Sequence, residues 1–539
     1  METSPTERDR FMAYSRNPLY QNFYIFSILF SVVHATVDGV LAFAAAELGR
    51  LAGSYSGFTL YCVYTLTSLL VARPTLERVS SKWAVFLGLC GMLVYVSSFF
   101  IALLYSHQAF VVFVVGAVCG GFGAGMLWPG QGVYFSNVAL SITDEYDQSD
   151  YSEDSTLELS AHSLQPASRR VSHEHVTGAL SGIFAFCYLG LESVFKILAT
   201  VVFVNYSSGQ KGWRPIVFGI YTVSAVFAAT LFCFVVNDVD KKKTIPTVSS
   251  THRQNSVNIN SDRKSHDQHL ESVCKLCVDE PHVNSQDTVQ LVSDGYEHSS
   301  KDKDLPFCLD FQACSSVIRL LYSSRLLQLL LPYQICFGLS TGLIDFYINK
   351  NIVAVYLGDG FIGLLSAIST IAAAVLSLCL ALLANMTSHG KWKVMVFGGI
   401  CFLIGPLLVL ILPVQMIANW GFLVLFFIIH GAGRGIWESV NKSVVADYFI
   451  CESERGTAFA AVYFTSGLAG AIGFIVFQFM SPMAIALLNV AAGMSAIIGY
   501  VFSDNMYRQQ RDSKERGEWQ SISTGSVHKS PIVTNARFD

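Results

Sequence analysis

The chain has 539 residues, 52% of them hydrophobic and only 14% charged, whereas soluble domains carry about 25% charged residues. So little polar surface excludes a water-soluble globule and predicts an all-α polytopic membrane protein. The net charge of −4 argues against nucleic acid as a partner, which would call for a basic face.

The N-terminal stretch 1–21 begins METSPTERDRFMAYSRNP, polar and charged with no apolar core before a cleavage site, so it does not read as a signal peptide. Beyond it, apolar runs long enough to cross about 30 Å of hydrocarbon predict about twelve transmembrane helices. They lie near 22–46, 54–72, 83–105, 109–139, 178–204, 215–237, 325–349, 359–385, 393–413, 420–446, 457–480 and 482–503. Between the last two only Met-Ser-Pro intervenes. The first six spans form one unit, 22–237, interrupted by a polar inner loop at 141–176 that contains the acidic run TDEYDQSDYSED. A second polar segment, 238–324, is too poor in apolar residues to offset the entropy of ordering, and reads mostly as disordered linker. The last six spans, 325–503, are followed by a tail, 504–539.

Lysine and arginine set the expected orientation. Arg10, Arg16, Arg73, Arg78, Lys82, Arg169, Arg170, Lys241, Lys242, Lys243, Lys391, Lys393, Arg455, Arg508 and Arg511 fall on one side, against Arg50, Lys211, Arg214 and Lys350 on the other. The positive-inside rule then predicts both termini in the cytoplasm, leaving open the plasma membrane or an internal one. None of the 13 cysteines falls in a predicted outer loop, so no external disulfide framework is expected.

Ionisable residues inside spans mark the candidate cleft, because each costs roughly 2.5–3.5 kcal/mol at a helix centre on insertion scales. His34 and Asp38 in span one, and Glu192 and Lys196 in span five, sit four residues apart and share a face. Span seven carries Asp345. Span ten carries Arg434, Glu438 and Lys442 at four-residue spacing, with His430 one turn before them. Such pairs either neutralise one another within a helix or serve a coupled site. Three charges on one stripe cannot face lipid, so span ten is expected to face the cleft, where Asp38 or Glu192 of the other half supplies a counter-charge to Arg434.

Span four raises a different question in GFGAGMLWPGQGVYF, Gly121 to Phe135. Gly121, Gly123 and Gly125 let neighbouring backbones approach where lipid supplies no hydrophobic drive. Pro129 removes a donor from the helix ladder and is expected to break or kink it about one turn before itself, which makes the stretch bendable. The stretch reads as a close-packed helix, either simply tight or beside a cavity lined by Trp128 and Gln131. In the polar segments, Arg-Arg-Val-Ser ending at Ser172 offers a kinase acceptor. The lone Cys-x-x-Cys at Cys274 and Cys277 is more often incidental than a zinc site, so no metal is expected. No Ser-His-Asp arrangement, H-E-x-x-H or phosphate loop is placed by its context, so neither an enzyme nor a cofactor is expected.

The halves carry an internal repeat. Asp38 and Asp345 are 307 positions apart, and Trp128 and Trp437 are 309 apart, with GFGAGMLW against HGAGRGIW. Duplicated parallel halves joined by a long loop are the arrangement of major facilitator transporters. The turn RPTLERVSSK resembles the facilitator inter-span motif, with Glu77-Arg78 as its acid–arginine pair and Lys82 as its last basic residue, but without its glycines. GAGMLWPGQGVYF resembles the fourth-span signature of the uncoordinated-93-like family, a branch of that superfamily. TGALSGIFAFCYLG resembles its fifth span, and YQICFGLSTGLIDFYINKNIVAVYLGDGFIGLLSAIST its seventh and eighth. Pro129 departs from the pattern, and neither polar segment is covered.

The resemblance implies the major facilitator fold: two six-helix bundles around a central cleft, with no catalytic residues. Members of the family are better known as accessory or escort proteins than as transporters. Some regulate potassium channels and others escort innate immune receptors. Two functions follow as expectations: movement of a small solute or ion through the cleft, or regulation of a partner channel or receptor in the lipid bilayer.

Overall fold

The computed structural model describes residues 17–47, 50–105, 108–157, 172–206, 214–240, 311–358, 360–387 and 390–523, and every regular element among them is helical. Span one is Pro18–Glu47, span three Ser81–Leu104, span four Ala109–Leu157, span five His173–Tyr206 and span six Arg214–Val235. Span eight is Gly360–Met386, span nine Gly390–Ile411, span eleven Glu452–Val476 and span twelve Pro482–Ser523. Three spans are composite. Span two joins Arg50–Leu70 to Ala72–Arg78 across a 49° bend, at a point where Pro74 withholds a donor from the ladder. Span seven joins Arg325–Gly342 to a π-helix, Leu343–Leu357. Span ten runs Trp420–Ile436, a π-helical Trp437–Asn441, then Lys442–Tyr448. Among the described residues, eleven helices are long and apolar enough to cross a membrane singly, and the bent pair of span two makes twelve.

The packing repeats at an interval of six spans. Span one lies against five and six, three against four and six, and two against four. In the second half seven lies against eleven and twelve, nine against ten and twelve, and eight against ten. The halves meet in the same symmetric way, two on eleven and five on eight, with four touching eleven and five touching ten. This is the pattern of two parallel six-helix bundles related by an axis along the membrane normal.

Span four shows why its core is glycine. A Cβ on Gly121 would lie 2.4 Å from the Leu60 carbonyl oxygen, and one on Gly125 2.5 Å from Thr67 Cβ, both on span two. A Cβ on Gly123 would lie 2.7 Å from the Gly88 carbonyl oxygen on span three. The alternate glycines therefore admit two neighbours at once, and the helix runs unbroken through Pro129.

The polar segments hold more structure than composition suggested. Span four continues as helix to Leu157, since neither glycine nor proline interrupts it after Gly132, and span five begins at His173, so helix occupies both ends of the expected inner loop 141–176, of which 158–171 lie outside the described residues. Span twelve likewise outruns its expected end at 503, with Arg508 paired to Asp504 at 2.5 Å one turn away. The end of the expected linker, Phe311–Ser323, is a helix that buries Val317 and packs on spans seven and eleven of one half and span two of the other. At its start, Asp240 accepts from the Ser81 amide at 2.6 Å and caps span three. Residues 241–310, including Cys274 and Cys277, lie outside the described residues.

Candidate functional site

The buried charges of spans one, five and ten converge between the bundles. Arg434, the last-turn cation of the helix Trp420–Ile436, extends from the second half into the first. Its Nη1 and Nη2 donate to the two carboxylate oxygens of Glu192, each at 2.7 Å, the two-pronged geometry that guanidinium and carboxylate favour. Nη2 also lies 3.4 Å from Asp38 and 3.1 Å from the Tyr188 hydroxyl, which itself donates to Asp38 at 3.3 Å. His34 Nδ1 is 3.4 Å from the same Asp38 oxygen. Lys196 donates to Glu192 at 2.5 Å and to Ser366 of span eight at 2.9 Å. Two carboxylates and two cations thus balance, with Glu192 wholly buried (0% exposed). The pairing within span five is real, yet it does not exhaust Glu192, which is shared with the opposite half.

The remainder of the span-ten stripe goes elsewhere. Glu438 and Lys442 pair with each other at 2.8 Å, both almost fully buried. Lys442 Nζ sits 4.3 Å from the ring centre of Trp128 and 4.7 Å from that of Phe184, both in the first half. A desolvated ammonium over two rings is held by their negative faces. The whole stripe therefore faces the first half, as the cost of charge in lipid requires, but splits into a crossing pair and a local pair. His430, one turn away, is not part of either; its Nδ1 approaches Ser369 at 3.4 Å and its ring edge meets Phe402. It borders a small crevice within the second half, lined also by Ser340, Ile344 and Phe426. Asp345, on the π-helix of span seven, is half-buried and accepts from Asn349 at 3.3 Å.

Trp128 and Gln131 are buried rather than open to a cavity. Trp128 is covered by Lys442, by Phe30 at 5.4 Å and by Tyr463, stacked at 5.7 Å from span eleven. Its repeat partner Trp437 stacks on Phe337 at 3.7 Å and donates to Gln334, which in turn donates to Asn441. Tyr188, Ser366, Gln334 and Asn441 were missed in the sequence. The available signal was weak: a polar residue within an apolar run, or the offset of 307 that links Phe30 to Phe337 as it links Asp38 to Asp345.

A second inter-half cluster lies at the end of the bundle that carries both ends of the described chain. Asp447 of span ten accepts from Lys391 of span nine at 2.6 Å and from Thr177 of span five at 2.8 Å. Lys391 also donates to the Glu174 carbonyl at 2.6 Å, and Asn385 to the His175 carbonyl at 3.0 Å. Arg511 donates to the Glu174 carboxylate at 3.0 Å. Arg455 of span eleven bonds Asn137 of span four and the Ile450 carbonyl. Ser172, just before span five, is exposed. In the basic turn of the first half, Glu77 takes a bond from Arg73 at 2.7 Å, and Lys82 donates to the Cys233 carbonyl at 3.0 Å.

Two family models match the chain. One, the Major Facilitator Superfamily, covers residues 330–536; the other, described as Ion channel regulatory protein UNC-93, covers 45–149 and includes the glycine-rich stretch of span four. No curated protein sequence matches. Among solved structures, the chain is similar to the proton:xylose symporter XylE bound to 6-bromo-6-deoxy-D-glucose, at 13% identity over 90% of this chain and 94% of that one, with a TM-score of 0.53. It is also similar to the human organic anion transporter MFSD10 (TETRAN), at 12% identity over 90% and 100% of the two chains, with a TM-score of 0.49. The chain has the major facilitator fold and resembles the UNC-93 family in spans two to four. It is an integral, multi-pass membrane protein whose likenesses point to a transporter or regulator rather than an enzyme.

Proposed function

We propose that the chain moves a small solute or ion across a membrane by rocking its two bundles about the buried charge layer. The observation that carries this is Arg434 crossing from the second half to Glu192 and Asp38 of the first. Replacing a buried ion pair with well-packed apolar residues is often neutral or stabilising, so a fold that had only to stand still gains little from these charges. A coupled site gains a set of partners that a solute or proton can rearrange. The termini, on the positive-inside rule, lie in the cytoplasm, which makes the Asp447–Lys391 cluster the inner closure.

A second reading, that the chain regulates or escorts a channel or receptor without transport, draws on the match to the ion channel regulatory family over 45–149. Reconstitution separates the two. Proteoliposomes loaded with a pH-sensitive dye are to be challenged with panels of sugars, amino acids, organic anions and organic cations. Uptake or proton flux that disappears in Arg434→Gln supports transport. Silence across the panels, together with stoichiometric co-purification of a channel or receptor in mild detergent, supports the regulatory reading.

A further inference from the structure

We propose that the central layer binds a small protonated amine as its solute, held between Asp38 of span one and Asp345 of span seven. The inference rests on the transport reading and gives that reading a ligand. It starts from a count of charge. With His34 and His430 neutral, three carboxylates among the described residues of the layer, Asp38, Glu192 and Asp345, stand against two cations, Lys196 and Arg434. Glu438 and Lys442 cancel each other at 2.8 Å. One negative charge is left over, and the hydrogen bonds locate it.

Glu192 is answered three times, by both terminal nitrogens of Arg434 and by Lys196, at 2.5 to 2.7 Å. Asp38 receives only long contacts, from Tyr188, Arg434 and His34 at 3.3 to 3.4 Å, and all of them fall on Oδ2. Its Oδ1 accepts nothing among the described residues. Asp345 Oδ1 takes one neutral bond, from Asn349 at 3.3 Å, and its Oδ2 takes none. An ionised carboxylate only accepts, so the Asn349 amide turns its nitrogen to Asp345. That leaves Asn349 Oδ1 buried without a partner. Three oxygens, contributed by both halves, therefore lack donors. The cations beside them are already engaged, Arg434 on Glu192 and Lys196 on Glu192 and Ser366.

These groups share one chamber. Asp38 and Asp345 hold related positions 307 apart in the two halves, and they lie within electrostatic reach of each other and of Lys196 and Arg434. Tyr61 of span two, half-buried, is within reach of both carboxylates, and an aromatic ring beside two acids adds to the attraction for a cation. Neither carboxylate is sealed: Asp38 keeps 18% of its side chain exposed, and Asp345 is half-buried.

The set selects its ligand. An anion would meet the surplus negative charge and find both cations taken. A neutral polyol would leave that charge unanswered. A primary ammonium brings one positive charge and three N–H donors, against one surplus charge and three open acceptors. A quaternary ammonium brings the charge with no donors and binds more weakly. Set between Asp38 and Asp345, the ammonium also removes the repulsion between like charges of opposite halves. Binding then draws spans one and seven together, which is the closure that rocking requires.

The test uses the purified full chain in nanodiscs, with 2-phenylethylammonium as the probe and tetraethylammonium, benzoate, glucose and sodium chloride as comparisons. Calorimetry reads binding, and the same chain in proteoliposomes reads uptake of the radiolabelled probe. The probe should bind more tightly than tetraethylammonium. Asp345→Asn should weaken it roughly 10- to 100-fold, the worth of one charged hydrogen bond. Its melting temperature should stay near that of the unaltered chain, because Asp345 has no ion pair to lose. Asp38→Asn should weaken binding as well. Absence of probe binding at millimolar concentration overturns the proposal, and so does binding that both variants leave unchanged. Displacement of the probe by sodium at equal concentration also overturns it, since the site then belongs to an inorganic cation. Uptake of benzoate or glucose without binding of the amine sinks the amine site and leaves the transport reading standing. Asp345-dependent binding with no uptake does the reverse, supporting the site and removing the transport reading.

Discussion

The two halves bury the same aromatic triad and surround it differently. Phe30, Trp128 and Tyr188 of the first half correspond to Phe337, Trp437 and Tyr463 of the second. The Trp–Tyr contacts are near copies, at 5.6 Å and 83° against 6.1 Å and 81°. Around the triads the charges diverge. At the positions where span four has Gly125 and Pro129, span ten has Arg434 and Glu438; where span five has Glu192 and Lys196, span eleven aligned on its tyrosine has Gly467 and Ala471. A small residue at one site lets a neighbour approach, as Gly125 does for Thr67 and Gly467 for Tyr64. A charged residue at the related site must find a counter-charge, and the crossing bond between Arg434 and Glu192 is how it does so. The two halves repeat one packing pattern, and where their residues differ, complementary charges lie on opposite sides of the seam.

The comparison can be broken most severely at that bond. Glu192→Ala leaves Arg434 and Lys196 buried without their shared carboxylate. Loss of one partner from a buried pair costs about 3–5 kcal/mol, so the melting temperature in detergent should drop far more than for Gly467→Ser at the related site of the other half. A comparable tolerance at both positions would mean the charges are not coupled. Next in size is Gly121→Ala, whose new methyl meets the Leu60 carbonyl oxygen at 2.4 Å. Overpacking of this kind costs about 1–3 kcal/mol. His430→Ala, at the related place on span ten, should cost less, and the same thermal assay compares the two.

The tryptophans sharpen the contrast further. Trp437→Phe removes the donor to buried Gln334, a loss of about 1–3 kcal/mol. Trp128→Phe keeps a ring under Lys442 and trades only part of an attraction worth about 0.5–2 kcal/mol. Urea-induced unfolding of the two variants should rank them in that order. The smallest effect belongs to Glu77→Gln. Its bond with Arg73 is solvent-exposed at 55% of the Glu77 side chain, and exposed pairs contribute about 0.2–1 kcal/mol. Asp447→Asn, in the buried cluster at the same end, should exceed it in the same measurement.

The sequence exposed those parts of the fold and site that are costly to hide. Apolar length predicted the spans, and charge in lipid singled out Asp38, Glu192 and Arg434, because each had to find a partner. The residues between them were harder to see. Tyr188 and Ser366 are unremarkable within their own helices and acquire these partners only when other helices pack on them, Asp38 and Arg434 for the tyrosine and Lys196 for the serine. The four-residue spacing of span ten suggested one shared destination for three charges; the helix delivers Arg434 across the seam while Glu438 and Lys442 neutralise each other under Trp128. The polar stretches misled in the other direction. Low hydropathy placed Phe311–Ser323 in a linker and ended span four near 139, whereas a single buried face or an unbroken ladder sufficed to extend helix there.

The way the first half ends has a bearing on how the chain is made. Asn237 donates its amide to Asn22 at 2.8 Å and offers its carbonyl to Tyr134, while Asp240 holds Ser81 and Asn137, each at 2.6 Å. The residues that leave span six are therefore fastened to spans one, three and four before any of the second half is needed. Domains generally fold as units, the N-terminal one first during synthesis. The 70 residues of 241–310 separate these closing contacts from the second half along the chain, which gives the first bundle room to close during synthesis and to present Glu192 and Asp38 to the later Arg434.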